Sequence, residues 1–287
     1  VGTEALEKFS AITREWFGST FSAPTTAQAA AWQAIADGNN TLVIAPTGSG
    51  KTLAAFLWAL DSLAAAGERP AGTRVLYVSP LKALAVDVER NLRTPLAGLT
   101  RIAERHGLPP PEISVGVRSG DTPPQRRRQL VNSPPDVLIT TPESLFLMLT
   151  SAARETLAGV QTVIVDEIHA IAAGKRGAHL AVSLERLDAL RDGPPAQRIG
   201  LSATVRPPEE LARFLSGPAP TTIVAPPSAK RFELTVQVPV PDMANLTDNT
   251  IWPDVESRLV DLIEAHGSTI VFANSRRLAE RLTARLN

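Results

Sequence analysis

At 287 residues and 44% hydrophobic, the chain is long for one compact domain and suits two buried cores. Basic and acidic residues balance at 29 each, so composition supplies no overall basic footprint. Any grip on a nucleic-acid backbone must then come from a narrow basic track or from N–H groups at helix starts. The absence of cysteine excludes a disulfide framework and a thiolate zinc site, and apolar runs such as Leu53 to Leu60 fall short of the roughly 20 residues of a membrane span. With no basic-then-apolar order at the N-terminus, a cytoplasmic protein without a membrane segment is expected.

In chain order, Thr25 and Gln28 have the spacing of a helix capping box. A strand is predicted over Thr41 to Ala45, and a helix over Lys51 to Ala66. Between and into them runs Ala45-Pro-Thr-Gly-Ser-Gly-Lys-Thr52, the context in which a glycine-rich loop wraps its N–H groups around phosphates. Gly48 and Gly50 let the backbone approach, with Thr47 and Ser49 completing the loop. Lys51 is suited to the β and γ phosphates of ATP, and the Thr52 hydroxyl to Mg²⁺. Ala45 stands where the usual pattern has its first glycine.

Strands over Arg74 to Ser79, Ile113 to Val117, Asp136 to Thr140, Thr162 to Asp166 and Arg198 to Ser202 alternate with helices over Ala83 to Ala97, Pro142 to Leu149 and Gly177 to Arg191. That alternation predicts an α/β fold with a parallel sheet and ligand sites at the C-terminal strand ends. The run Arg126-Arg-Arg128 reads as a solvated helix face. Gly217 to Lys230, rich in proline and small residues, reads as a linker; beyond it come an extended stretch, a helix over Asp254 to His266, a strand over Thr269 to Ala273 and a helix from Ser275 onward. Residues 1–224 are thus expected to form one lobe, and 225–287 a linker with the N-terminal part of a second, incomplete one.

Val163-Ile-Val-Asp-Glu-Ile-His169 ends a buried strand in two carboxylates, which calls for a cation nearby. Asp166 suits Mg²⁺ held through water, and Glu167 the orientation and deprotonation of an attacking water. Ser202-Ala-Thr204 ends another strand and should bring its hydroxyls beside the acidic pair at the same sheet edge, which raises His169 above an ordinary hydrogen-bonded turn residue. Phosphate loop, Asp-Glu-x-His and Ser-Ala-Thr in this order, each at a strand end, resemble a superfamily 2 helicase.

That resemblance implies a RecA-like motor lobe followed by the beginning of a second. It also implies that Gln28 reads adenine, that the catalytic set is Lys51, Asp166, Glu167, His169, Ser202 and Thr204, and that ATP and Mg²⁺ are bound. Phe21 and Trp32 are weaker candidates for walling the base, aromatics at helical spacing being more often core. Ser79-Pro-Leu-Lys-Ala-Leu84, Arg118-Ser-Gly-Asp-Thr122 and Thr140-Thr-Pro-Glu-Ser144 look like strand-tracking motifs, which assigns Pro80, Lys82, Arg118, Ser119, Gly120, Thr141 and Pro142 to nucleic acid. Ordinary helix capping by Ser and Thr is the alternative for each.

The Asp-Glu-Ile-His form, Phe21-Ser-Ala-Pro-Thr-Thr-Ala-Gln-Ala-Ala-Ala-Trp32, Ile251-Trp-Pro-Asp and Ile270-Val-Phe-Ala-Asn-Ser-Arg-Arg277 together look like the bacterial large helicase-related (Lhr) family over essentially the whole chain. The arginine-rich basic set suits a GC-rich, actinobacterial-type genome. The resemblance implies a single-stranded-DNA-dependent ATPase that moves 3′ to 5′, unwinds DNA or RNA:DNA duplexes and serves DNA repair, with Asn274, Ser275 and Arg276 touching the strand. The family's later motifs and C-terminal domains of the same polypeptide are expected beyond Asn287. A Ski-type RNA helicase shares the layout, and a nucleotide switch without translocation is a more distant alternative.

Overall fold

Strands such as Val75-Leu-Tyr-Val78 and Val137-Leu-Ile-Thr140 carry no apolar/polar alternation, so both faces must be covered, which is the condition of a parallel sheet between helical layers. The computed structural model describes residues 4–67, 72–191, 193–203, 205–227, 233–240, 242–243 and 250–286. The chain divides into two compact units, Val1–Ser228 and Ala229–Asn287.

In the first unit, β1 (Asn40–Ile44), β2 (Val75–Val78), β3 (Val115–Arg118), β4 (Val137–Thr140), β5 (Thr162–Val165), β6 (Gln197–Ser202) and β7 (Thr221–Val224) form one sheet in the order β3-β4-β2-β5-β6-β1-β7. Every ladder is parallel. The helices are α1 (Ala11–Thr20), α2 (Thr26–Ala36), α3 (Lys51–Ala65), α4 (Lys82–Arg105), α5 (Pro124–Asn132), α6 (Pro142–Leu149), α7 (Ile168–Ala172), α8 (Lys175–Ala189) and α9 (Pro208–Ser216). Because successive strand residues point to opposite faces, β1, β2, β4 and β5 each feed two cores. Val43, Tyr77, Ile139, Ile164 and Ile199 pack with Phe17, Trp32 and Phe56 of α1 to α3. Leu42, Leu76, Leu138 and Val163 pack with Leu145, Leu180, Leu184 and Leu215 of α6, α8 and α9.

The structure corrects three expectations. Within the segment read as linker, Thr221–Val224 is the edge strand β7, paired to β1; its flanking prolines mimic a linker because an edge strand tolerates them at its ends. Helix α4 runs on to Arg105 through Pro95, well past Ala97, since Leu99, Ile102 and Ala103 keep its apolar face buried. In the second unit α10 (Trp252–Glu264) and α11 (Arg276–Leu286) form, joined by an Arg285–Glu256 ion pair at 2.5 Å and by the Arg281 guanidinium over the Trp252 ring. Thr269 to Ala273 is not a strand: a strand exists only against a partner, and Ile270 and Phe272 are exposed. Among the described residues no helix is long and apolar enough to cross a membrane.

Helices α7 and α8 meet where Gly177 passes the end of α7, and a Cβ there would stand 2.5 Å from the Ala172 carbonyl oxygen and 2.6 Å from that of Ile171. These are backbone atoms and cannot rotate away. Gly177→Ala is therefore expected to cost about 1 to 3 kcal/mol, the usual range for overpacking. A urea melt with an unchanged midpoint would show that this contact is not tight.

Candidate functional site

Between Ile44, which ends β1, and Lys51, which opens α3, the backbone turns through left-handed positions at Gly48 and Gly50, with φ of +79° and +80°. Gly50 is the N-cap of α3 and offers no side-chain acceptor, so the first N–H groups of that helix have no side-chain cap. Such a turn is an anion seat. Lys51 is buried, its Nζ donating to the carbonyls of Ala45 at 2.6 Å and Pro46 at 3.1 Å. Burial holds its pKa below the ordinary lysine value, opposed by the charges of Glu167 and then Asp166, which places both carboxylates in the field of this ammonium. The Ser49 Oγ is buried with no hydrogen-bond partner among the described residues, while Thr47 is exposed and Thr52 half-buried.

Gln28 closes the capping box of α2: its Oε1 accepts the Thr25 N–H at 2.9 Å, and its own N–H donates to Thr25 Oγ1 at 3.2 Å. The same pair holds the glycine-rich loop, Thr25 Oγ1 donating to the Ser49 carbonyl at 2.8 Å and Gln28 Nε2 to that of Gly50 at 3.4 Å. Trp32 is no wall for a base: it is fully buried against Phe9 and Phe17, with its indole N–H on the Ala54 carbonyl. Phe21 stays partly exposed beside Phe17.

At the end of β5, Asp166 is buried; its Oδ1 accepts the Glu167 N–H at 2.9 Å, and its Oδ2 accepts the hydroxyl of Tyr77. Burial, and then the Asp166 charge, push the Tyr77 phenol far above its usual range, so it stays a donor. Glu167 adopts φ +43°, ψ +44°, the left-handed region, and is the N-cap of α7. His169, in the first turn of α7, has its Nδ1 at 3.1 Å from Ser202 Oγ and accepts the Ala203 N–H at 3.4 Å; Glu167 Oε2 lies 3.4 Å from the same nitrogen. The acidic pair and the end of β6 therefore meet at one imidazole. Thr204 lies outside the described residues.

The segments read as strand-tracking motifs gather at the same edge of the sheet. Lys82 pairs with Asp121 at 2.7 Å, across the loop of Ser119 and Gly120, where Arg127 grips two carbonyls: Nη2 donates to that of Gly120 at 2.6 Å and Nε to that of Thr122 at 2.7 Å. Arg127 thus holds a loop, whereas Arg126 and Arg128 are exposed as a solvated face requires. The Nη1 of Arg118 is buried without a partner among the described residues, and burial, with Arg127 nearby, lowers its pKa. Thr141 caps α6 through its hydroxyl, with Pro142 at the first turn, so that side chain serves its own helix. Arg176, unremarked in the sequence, ties two of these segments together, donating to the Pro80 carbonyl at 2.9 Å and to Glu143 at 2.6 Å. In the second unit, Ser275 Oγ accepts the Leu278 N–H and Arg276 pairs with Glu280, while Asn274 precedes the helix.

Among the described residues no group of three or more His, Cys, Asp or Glu side chains is arranged to hold a metal. A hydroxyl on Thr52 and a carboxylate on Asp166 are hard-oxygen donors that fit Mg²⁺ of the kind completed by phosphate and water. The orphaned Ser49 hydroxyl and the uncapped start of α3 fit a phosphate chain.

A family model described as DEAD/DEAH box helicase matches residues 25–212. The chain is 77% identical over 287 residues to a Lhr helicase/probable uracil glycosylase of Mycolicibacterium smegmatis, covering all of this chain and 19% of that protein. It is 51% identical over 300 residues to the Lhr helicase/uracil glycosylase of Escherichia coli, covering 97% and 19%. The solved structure of Mycobacterium smegmatis helicase Lhr bound to ssDNA and AMP-PNP superposes with a TM-score of 0.86 at 78% identity, over 99% of this chain and 36% of that one. The chain thus spans about a fifth of the length of the two bacterial relatives.

The left-handed backbone at Glu167 carries a cost of roughly 1 kcal/mol for any residue with a Cβ. Glu167→Gly is therefore expected to unfold at higher urea than Glu167→Ala, with a difference of about 1 kcal/mol in stability, although both remove the carboxylate. The opposite order would mean that this position is unstrained.

Proposed function

The chain belongs to the DEAD/DEAH box helicase family, in its Lhr branch, and from that premise we propose that it is the ATP-binding lobe of an ATP-dependent helicase or translocase acting on single-stranded DNA. The observation that carries this reading is that the glycine-rich loop, the acidic pair and the Ser202-Ala203 turn end three consecutive parallel strands, β1, β5 and β6, with Lys51 in the field of both carboxylates. A strand-tracking face at the same sheet edge, built from Lys82, Arg118, the Ser119-Gly120 loop and the start of α6, supplies backbone-directed contacts suited to a sequence-tolerant motor. The ssDNA and AMP-PNP held by the similar Lhr structure favour DNA and an adenine nucleotide here.

In this reading the loop N–H groups and Lys51 hold the β and γ phosphates, the ammonium leaving the Ala45 and Pro46 carbonyls to do so. Gln28 reads adenine from the end of α2, where its amide already senses the loop. Thr52 and Asp166 would hold Mg²⁺, which when bound neutralises charge developing on the phosphoryl oxygens. Glu167 orients the water and takes its proton. His169, which contacts both Glu167 and Ser202, passes a change at the carboxylate to β6, and Arg176 holds the Pro80 and Glu143 segments in a fixed relation to α8. Movement 3′ to 5′, unwinding of DNA or RNA:DNA duplexes and a part in DNA repair belong to the same proposal for the longer polypeptide. Asn274, Ser275 and Arg276 in the second unit are its further strand contacts.

Lys51→Ala is expected to weaken Mg²⁺-dependent binding of a fluorescent ATP analogue by ten-fold or more, since a charge-assisted contact is commonly worth about 1.5 to 3 kcal/mol. In a polypeptide of the relatives' length, Glu167→Gln should retain that binding while turnover drops by roughly two orders of magnitude. Equal affinities for wild type and Lys51→Ala would remove the loop as the ATP site. ATPase stimulated by single-stranded RNA and not by DNA would favour the Ski-type alternative.

A further inference from the structure

We propose that Tyr77 is a positioning residue for the metal-holding carboxylate of Asp166, and that its hydroxyl, beyond its ring, is what the ATP site requires. The inference rests on the nucleotide-site reading above.

Tyr77 is the chain's single tyrosine, and it sits fully buried in β2, a four-residue strand otherwise made of Val and Leu and enclosed by β4 and β5. Packing alone does not call for it. Its ring stacks on Phe56 of α3 with centroids 4.8 Å apart and planes at 23°, a contact that phenylalanine would make equally well. The hydroxyl is the costly part, because an O–H group taken out of water without a partner is strongly unfavourable. Here it is satisfied by Asp166 Oδ2.

Register explains the meeting. Tyr77 lies opposite Ile164 in the parallel β2–β5 ladder, so Asp166, two residues further on, falls on the same face and on the diagonal, within reach of a long aromatic side chain. The two oxygens of Asp166 are thereby held from two directions: Oδ1 along the chain by the Glu167 N–H, and Oδ2 from across the sheet by Tyr77. A carboxylate bonded at both oxygens has its rotamer and plane fixed, and each oxygen retains a further acceptor site. Donors behind a metal-binding carboxylate orient it, and removing such a partner typically lowers metal affinity by about 10- to 100-fold. Because Asp166 would act through water, the lower end of that range, about ten-fold, is expected.

The test is a Mg²⁺ titration of fluorescent-ATP-analogue binding to wild type and Tyr77→Phe, with nucleotide binding in EDTA and a thermal melt measured alongside. The expected result is an approximately ten-fold rise in the Mg²⁺ concentration at half-maximal binding, with metal-free binding unchanged. Phe56→Leu, which disturbs the stack and spares the hydroxyl, should lower the melting temperature without moving the Mg²⁺ midpoint. In an Asp166→Asn background, Tyr77→Phe should produce no further shift, because the hydroxyl would act only through the carboxylate. An unchanged Mg²⁺ midpoint in Tyr77→Phe overturns the proposal, as does an equal loss of binding with and without metal, an equal shift in Phe56→Leu, or additivity with Asp166→Asn. Any of these leaves the ATP-site reading standing if wild type binds nucleotide in a Mg²⁺-dependent way. A wild-type chain that does not removes both.

Discussion

Parallel pairing forces every strand of a sheet to end on the same side, and this one constraint assembles the site. Residues at 45–52, 166–169 and 202–203 are distant in sequence and share no local signal. Yet β5, β6 and β1 are consecutive neighbours, so the turns that leave them open onto one edge. The same constraint brings β2 beside β5 and β4, which sets Tyr77 diagonal to Asp166 and the Pro80 segment near the start of α6. The two apolar layers exist to keep these strands in register: Trp32, Phe17 and Phe56 on one face, and Leu184, Leu180 and Leu215 on the other. A sheet so enclosed does not slip, because a one-residue slip would exchange its two faces.

What could be read from the sequence follows from where the information lies. Strands β1 to β6 announced themselves as short apolar runs, β3 displaced from Ile113–Val117 to Val115–Arg118, and their ends carried residues whose chemistry is local: glycines that accept positive φ, a lysine, two carboxylates. Partners across space left no such mark. That Lys51 rests on the Ala45 and Pro46 carbonyls, that Arg127 holds the Gly120 loop and that Arg176 bridges Pro80 and Glu143 depend on side-chain reach through the fold. The edge strand β7 was hidden by its prolines, and Thr269 to Ala273 has strand composition without a ladder, because composition specifies a strand's willingness to pair and not its partner. Gln28 forms the capping box that its spacing from Thr25 predicts, and its amide also touches the loop, a contact that the spacing did not reveal.

The electrostatics of the site are balanced within itself. Taking an ammonium and a carboxylate out of water costs several kcal/mol apiece unless each finds bonds and opposite charge. Lys51 has two carbonyls and the field of Asp166 and Glu167, and Asp166 has a backbone donor and a phenol, while Glu167 keeps part of its side chain in solvent. This local balance is compatible with a chain whose net charge is zero. It also explains why composition is a poor guide here, since the charges that matter are few and are held by geometry.

The contact between Gly50 and Gln28 has a consequence for how this sequence can change over time. A Cβ at position 50 would fall 2.4 Å from Gln28 Nε2 and 3.0 Å from its Cδ, while φ at that position is +80°. A side chain at 50 therefore meets two objections, one from its own backbone and one from a residue on another helix. Shortening residue 28 answers only the second, and at the loss of both the capping box and the hold on the loop. Position 50 is therefore expected to stay glycine whatever stands at residue 28, while Gln28, 22 residues away, can shorten only by giving up the capping box and its hold on the loop.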